Sequence, residues 1–332
     1  MINPVPPISV LHPRTEAALP VELSFVIPAY NEAENIAEAI ARVHAEARRM
    51  GLRHEILIVD DGSRDATFET AIALAQDAPV RALRLSRNFG KEQAIMAGLE
   101  RARGAAVVIL DADMQEPIGH LETMLEHYRA GFEMVYATRA HRADEPRVKR
   151  VLTRVFYRLL GMGNRIHIPP DARDFRLMDR RVVEALCALP ERDRFMKGLY
   201  GWVGFRSIAV PIELEPRRSG TSKFGFLGLF RLALTGLTSF TSWPLRIWTA
   251  IGMVIATLSI LYGAWITLRT LLFGVDVQGW STLVVAVGLL GGVQLISIGV
   301  LGEYLSRVFM EVKGRPGFII AEETASKAAS RT

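Results

Sequence analysis

Two hydrophobic patterns divide this chain. Across residues 22–139, short apolar runs rich in β-branched residues alternate with stretches of helical period. The runs at 23–27, 55–59, 81–85, 106–110 and 133–137 predict strands. Helical spacing in between predicts helices near 33–49, 66–76, 92–103 and 118–128. Alternation at this spacing predicts an α/β fold with a mostly parallel, doubly wound sheet. After Lys223 charged residues become sparse, and none occurs over 247–268 or 280–302. Each run exceeds the roughly 20 apolar residues that cross a hydrocarbon core, so two C-terminal transmembrane helices are predicted.

The flanks of these runs set an expected orientation. Arg246 precedes the first, Arg307, Lys313 and Arg315 follow the second, and the connecting loop carries only Asp276. Arg269 near the outer end runs against the trend and can snorkel. The positive-inside rule then puts both termini in the cytoplasm. Small residues recur four apart at Gly252 and Ala256, Ser259 and Gly263, and Gly288 and Gly292. Such spacing predicts close helix packing, within the hairpin or against another subunit. Residues 224–242 are mostly apolar, and Arg231, Thr235, Thr238 and Ser242 recur at helical spacing as a narrow polar stripe, which predicts a helix lying in the membrane interface. The expected organisation is a flexible N-terminal tail (1–20), an α/β domain (21–223), an interfacial amphipathic helix (224–243), a transmembrane hairpin (244–308) and a cytoplasmic C-terminal tail (309–332). The first 20 residues hold five prolines and no long apolar run, unlike a signal peptide.

Composition narrows the compartment and the partners. A single cysteine among 332 residues, Cys187, excludes an internal disulfide framework and fits a reducing environment. The net charge of +5 suits nucleic acid, anionic lipid or phosphate-bearing substrates alike. The apolar C-terminal runs favour lipid, so no nucleic-acid partner is expected.

Polar clusters sit where the predicted strands end. Pro28-Ala29-Tyr30-Asn31-Glu32 follows the first strand, Asp60-Asp61-Gly62-Ser63 the second, and Asp111-Ala112-Asp113-Met114-Gln115 the fourth. One such cluster is an ordinary helix cap. Three at one edge of a parallel sheet mark a ligand site, since such sheets bind at their carboxyl ends. Neither a G-x-G-x-x-G fingerprint nor a Walker A motif is present, which argues against dehydrogenases and P-loop enzymes. If the pleat of the fourth strand continues, Asp111 and Asp113 point to one place. Their hard oxygens suit Mg²⁺ or Mn²⁺, with substrate phosphates completing the shell.

The motifs Val26-Ile27-Pro28-Ala29-Tyr30-Asn31-Glu32, Val59-Asp60-Asp61-Gly62-Ser63-Arg64-Asp65 and Asp111-Ala112-Asp113-Met114-Gln115 closely resemble family 2 glycosyltransferases. Arg173-Asp174-Phe175-Arg176-Leu177-Met178 and the paired C-terminal runs resemble the polyprenyl-phosphate glycosyltransferases, which include dolichyl-phosphate mannose synthases and bactoprenol glucosyltransferases. The resemblance extends over nearly all the chain after Pro20. It implies a GT-A fold and a hexosyltransferase that moves a sugar from a nucleotide diphosphate to a polyprenyl phosphate at the cytoplasmic membrane. By that resemblance Pro28, Tyr30, Glu32, Asp60 and Asp61 surround the nucleotide, while Asp111, Asp113 and Gln115 hold the diphosphate through a divalent metal. Asp174 matches the proposed catalytic carboxylate, and Lys91, in Arg87-Asn88-Phe89-Gly90-Lys91, is a donor contact. A lipid phosphate is already a competent nucleophile near neutral pH, so Asp174 is expected to orient as much as to remove a proton.

The acceptor phosphate needs cationic hosts. Arg139 at the end of the fifth strand, and Ser222 and Lys223 in a basic, hydroxyl-rich loop, are the candidates. The other basic residues between Arg142 and Arg158 read as a solvated or headgroup-facing helix face. UDP-glucose is the expected donor, with GDP-mannose and a UDP-aminoarabinose derivative as alternatives. A homo-oligomer, as a tetramer, is implied by the resemblance. Two rival readings are a processive polysaccharide synthase and a silent scaffold that binds nucleotide sugar. The first lacks its Q-x-x-R-W motif here, and intact Asp111, Asp113 and Asp174 argue against the second.

Overall fold

The computed structural model describes residues 21–75, 79–139, 172–192, 194–213, 243–273 and 279–324. The expected N-terminal tail, interfacial helix, Ser222, Lys223 and the basic stretch from Arg142 to Arg158 lie outside them. The chain divides into two compact units, a sheet-based unit that includes the segment from Pro316 onward and a helical unit containing residues 230–315.

In the sheet unit, strand β1 (Leu23–Ala29) leads to helix α1 (Ile36–Arg49), β2 (His54–Asp60) to α2 (Thr67–Leu74), and β3 (Val80–Leu85) to α3 (Lys91–Arg101). Then come β4 (Ala106–Ile109), a short 3₁₀ turn, α4 (Leu121–Arg129), β5 (Met134–Arg139), β6 (Ala172–Asp179), α5 (Arg180–Ala188), α6 (Met196–Trp202) and β7 (Ser207–Ile212). A last strand, β8 (Ile320–Glu323), follows the helical unit. The sheet order is β7-β5-β6-β4-β1-β2-β3-β8. Strand β1 runs parallel to β2 and β4, and β2 to β3, whereas β6 lies antiparallel between β4 and β5.

This is the mostly parallel α/β sheet that the alternating pattern predicts. The central strands are continuous apolar runs because both faces are covered. Leu23, Phe25 and Ile27 of β1 pack with Ile36, Ile40 and Val43 of α1 on one face. On the other, α3 comes so close that a Cβ on Gly98 would lie 2.2 Å from Val26 Cγ1 and 3.1 Å from Val59 Cγ2. The absent side chain lets the helix that begins at Lys91 lie directly on the sheet.

Opposite the site edge, a buried polar network ties the strand starts together. Glu55 Oε1 accepts from Ser24 Oγ at 2.6 Å and from the Arg103 amide at 2.7 Å, and Glu55 Oε2 accepts from Arg81 Nη1 at 3.0 Å. Arg81 Nη2 reaches Glu323 Oε1 of β8 at 2.7 Å. Residues 309–332, expected as a tail, therefore contain an edge strand. Strand β8 pairs antiparallel with β3, and Thr324 Oγ1 accepts from the Ala82 amide at 2.8 Å. Nothing in the local pattern of Ile-Ala-Glu-Glu announces a strand. The unsatisfied edge of β3 and the buried guanidinium of Arg81 recruit it.

The helical unit contains α7 (Trp243–Phe273) and α8 (Trp280–Val312), which enclose the two apolar runs. The stretch Leu289–Val312 is long and apolar enough to cross a membrane, and Ile251–Trp265 is a shorter apolar stretch. A Cβ placed on Gly252, Gly263 or Gly292 would meet no atom within 4 Å. These glycines do not close α7 and α8 on each other, because their faces point into open space.

Glu55→Ala is expected to destabilise the sheet unit by about 3–5 kcal/mol, because it breaks a buried ion pair and removes the acceptor shared by Ser24, Arg81 and the Arg103 amide. Glu323→Ala should cost less, since its side chain is 33% exposed while that of Glu55 is 7% exposed. Chemical denaturation of both variants checks the order.

Candidate active site

The parallel strands deliver four loops to one edge of the sheet, and side chains stitch these loops in sequence. Asn31, after β1, donates its amide to Ser63 Oγ at 2.9 Å and accepts at Oδ1 from the Arg64 amide at 2.9 Å. The Glu32 amide donates to Thr67 Oγ1 at 2.9 Å, and Asp65 Oδ2 accepts from the Ala33 amide at 3.2 Å. The loops after β1 and β2 thus form one body.

Asp61 joins the second loop to the third. Its Oδ1 accepts from the Phe89 amide at 2.7 Å and its Oδ2 from the Gly90 amide at 2.9 Å. Gly62, with φ of +66°, makes the close approach possible: a Cβ there would lie 2.5 Å from the backbone carbon of Arg87. Asp61 therefore positions the segment entering α3. Its neighbour Asp60 is fully buried, accepts from the Ser63 amide at 3.0 Å, and keeps an Oδ2 without a hydrogen-bond partner, 3.5 Å from Arg84 Nε. Burial raises the carboxyls of both aspartates, working against these hydrogen bonds. Pro28, expected to line the site, is buried inside β1 opposite Val59, whereas Tyr30 and Glu32 are half-buried in the loop.

The fourth loop meets β6. Pairs run from Ala106–Asp179 to Ile109–Arg176, and extending that register by two residues sets Asp111 across from Asp174. The pleat does not continue to Asp113 as expected, since β4 ends at Ile109 and the Met114 amide turns back to Asp111 O at 3.3 Å. Met114 has φ of +50° and Asn31 +54°, the two non-glycine residues with positive φ among those described, and both lie in site loops. A left-handed conformation at a long side chain is costly and is tolerated where surrounding packing fixes the backbone, often at functional sites. Asp113 Oδ1 accepts from the Gln115 amide at 3.2 Å, closing the turn.

Lys91 occupies the centre of this edge. Its Nζ lies 2.6 Å from Asp111 Oδ1 and 2.5 Å from Asp174 Oδ2. Burial opposes charge on both partners, yet the ion pairs prevail and raise Lys91 well above its ordinary value. Burial likewise pushes the Asp174 carboxyl upward, but Lys91, Lys197 and Arg176 outweigh it and hold Asp174 well below the usual carboxylate range. Asp174 is an ionised carboxylate at neutral pH.

Several nearby residues were not singled out in the sequence. Glu116 is buried, accepts from Arg173 Nε at 3.0 Å, and leaves Oε2 without a hydrogen-bond partner. Burial, with the charges of Asp111 and Asp174, pushes its carboxyl up to about 7. Glu92 is pushed up to about 7 by burial and Asp174. Arg176 is buried with its guanidinium 3.7 Å from the Tyr200 ring centroid. Position in the Asp111 and Asp174 motifs was the available signal for Glu116 and Arg176; nothing local marked Tyr200. Arg139, at the end of β5, reaches the same sheet edge beside Ile212 of β7.

Among the described residues, no three carboxylates, imidazoles or thiolates converge to hold a metal by themselves. The donor chemistry nonetheless suits a hard divalent ion, because Asp111 already holds a cation, the Lys91 ammonium. Magnesium-type sites commonly use one or two carboxylates and take further oxygens from substrate phosphates.

The model described as Glycosyl transferase family 2 matches residues 24–187, and that described as GtrB C-terminal hairpin matches residues 243–308. An uncharacterized glycosyltransferase of Synechocystis sp. is 45% identical over 303 residues, covering 91% of this chain and 95% of its own. The SfII prophage-derived bactoprenol glucosyl transferase of Shigella flexneri is 44% identical, covering 90% and 97%. A prophage bactoprenol glucosyl transferase homolog of Escherichia coli is 42% identical, covering 90% and 98%.

The pushed-up Glu116 carboxyl has a pH consequence. A folded-state value of about 7 against an ordinary 4.5 means that the folded chain holds this proton more tightly than the unfolded chain. The contribution to stability is present below pH 4.5 and is lost as pH rises through about 7. Glu116→Gln, which mimics the protonated form, should raise the thermal midpoint at pH 8 more than at pH 5. Melting curves at the two pH values check this.

Proposed function

This chain belongs to glycosyl transferase family 2, and from that premise we propose that it transfers glucose from UDP-glucose to a polyprenyl phosphate. It is a glycosyltransferase with a GT-A-like sheet. The observation that carries the mechanistic reading is the convergence of Asp111 and Asp174 on Lys91 where β4 has ended and β6 begins. The acceptor class is supported by relatives named bactoprenol glucosyl transferases that match almost end to end.

The proposed reaction needs little proton chemistry. A phosphate oxygen of the acceptor attacks the anomeric carbon of the sugar, forming the new C–O bond. The bond from that carbon to the diphosphate oxygen breaks, and the nucleoside diphosphate leaves with the electron pair. The second ionisation of such a phosphate lies near about 6, so the attacking oxygen is anionic without a base. Asp174, held ionised by its cations, orients the reacting groups and offsets positive charge that develops at the anomeric carbon.

In this reading Asp111 and Asp113, with Gln115 beside them, hold Mg²⁺ or Mn²⁺. When bound, the ion offsets charge on the leaving diphosphate. Tyr30, Glu32 and Asp60 face the nucleotide, and Asp60 brings a buried oxygen that lacks a hydrogen-bond partner. Asp61 holds Phe89 and Gly90 so that Lys91 is presented to the diphosphate. Arg139 would receive the acceptor phosphate at the same edge, with Ser222 and Lys223 completing its cationic host.

The acceptor also motivates a membrane location. A polyprenyl chain resists leaving the bilayer by about 0.8 kcal/mol for each buried CH₂, so its phosphate must be met at the headgroup layer. The apolar stretch Leu289–Val312 supports membrane association. We propose that α7 supplies a second span, with the sheet unit and both termini on the cytoplasmic side. Small residues spaced four apart favour close helix packing, and we propose that several copies assemble as a homo-tetramer.

Purified protein with Mg²⁺, UDP-glucose and undecaprenyl phosphate should form a glycolipid, and GDP-mannose should not replace the donor. No glycolipid from any nucleotide sugar would refute the enzyme reading. Asp113→Ala should reduce transfer by about 10²-fold or more, since it removes transition-state charge stabilisation. Full activity in excess chelator would remove the metal from this account.

A further inference from the structure

Lys91 is anchored at its backbone and carries its charge at the end of a flexible stem. It is the first residue of α3, and the two amides before it are fixed on Asp61. Its side chain is 43% exposed, ending in an ammonium 2.6 Å from Asp111 Oδ1, 2.9 Å from Asp111 Oδ2 and 2.5 Å from Asp174 Oδ2. Four methylene groups let that ammonium move by several ångströms without moving the helix.

The carboxylates explain why the ammonium rests there. Asp111, Asp113, Glu116 and Asp174 crowd one edge and repel one another, and Asp111 and Asp174 both converge on the Lys91 ammonium just beyond the last β4–β6 pair. Without a cation between them, one carboxylate would have to protonate or move away. Asp111, however, is the same residue that the proposed function assigns to the divalent ion. A doubly charged ion on Asp111 and an ammonium 2.6 Å from the same carboxylate cannot share it on equal terms.

We propose that Lys91 is an exchangeable counter-ion: it holds the cation position on Asp111 when donor is absent, and yields it to the divalent ion when a nucleoside diphosphate arrives. The displaced ammonium then has a new anionic partner, the diphosphate. The exchange makes metal binding and nucleotide binding mutually dependent. Metal alone competes with Lys91 for Asp111. Metal with diphosphate does not, because the ammonium is paired elsewhere. By linkage each ligand tightens the other by the same factor. The device also keeps the carboxylates neutralised between turnovers without requiring a resident metal.

This inference rests on the reading that Asp111 and Asp113 hold the divalent ion, and its test separates the two. Mn²⁺ binding is measured by electron paramagnetic resonance on the full chain in detergent, with and without UDP. Wild type should bind Mn²⁺ weakly alone and about 5- to 150-fold more tightly with saturating UDP, the usual span of such coupling. Lys91→Met removes the competitor while keeping the methylene stem. It should bind Mn²⁺ more tightly than wild type without UDP, and the further gain with UDP should be smaller than in wild type, leaving only what direct coordination by the diphosphate adds. Lys91→Arg restores a cation and should recover weak binding without UDP.

Unchanged or weaker Mn²⁺ affinity in Lys91→Met without UDP would overturn the exchange and leave the metal assignment standing, provided Asp113→Ala loses the ion. If no variant binds Mn²⁺ even with UDP, the metal assignment and the exchange both fail. A melting curve of Lys91→Met with saturating UDP and Mn²⁺ guards against misfolding: a ligand-induced rise in midpoint shows a folded site.

Discussion

Like charges crowded at a sheet edge are the constraint around which this site is organised. Asp111 follows β4 and Asp174 lies in its antiparallel neighbour β6, and both reach the same Lys91 ammonium. The ammonium of Lys91 makes that arrangement tenable, and Lys197 and Arg176 add to the field that keeps Asp174 ionised. A carboxylate so held has little capacity as a base. That fits the proposed reaction, whose nucleophile is already an anion and in which Asp174 acts through electrostatics and orientation.

Placing one ammonium accurately requires a rigid path through the backbone, and the Asp60–Asp65 motif provides it. Ser63 and Asp65 secure the loop after β1, Asp61 secures the loop before α3, and Gly62 allows the two chains to touch. The motif's acidic residues divide between two duties. Asp61 is consumed in holding amides, whereas Asp60 retains an oxygen without a hydrogen-bond partner. Position in a shared motif does not reveal which aspartate ties the loops together; the hydrogen bonds do.

At the opposite end of the strands, charge is managed by pairing. The Glu55–Arg81–Glu323 network satisfies groups that would be costly to bury singly, and it brings in the final described strand of the chain. Strand β8 lies beyond α8 in sequence yet completes the β3 edge of the sheet. The sheet unit is therefore assembled from segments on both sides of the helical unit, and its full edge requires the chain to its C-terminal region.

Sequence alone determined the alternation of β1 to β5 with α1 to α4, because period-2 and period-3.6 patterns are local properties of a chain with two kinds of face. It also determined where α7 and α8 lie, since length and apolarity are local too, and it brought Asp111, Asp174 and Lys91 forward through motif resemblance. Tertiary structure decided the rest. The turn after Ile109, the antiparallel insertion of β6 and the burial of Pro28 depend on neighbours distant in sequence. So do the roles of Glu116, Arg176 and Tyr200, whose chemistry comes from desolvation and charges supplied by other elements. The segment expected as a tail became an edge strand for the same reason: four residues carry too little pattern of their own, while an open strand edge and a buried arginine supply the energy that orders them.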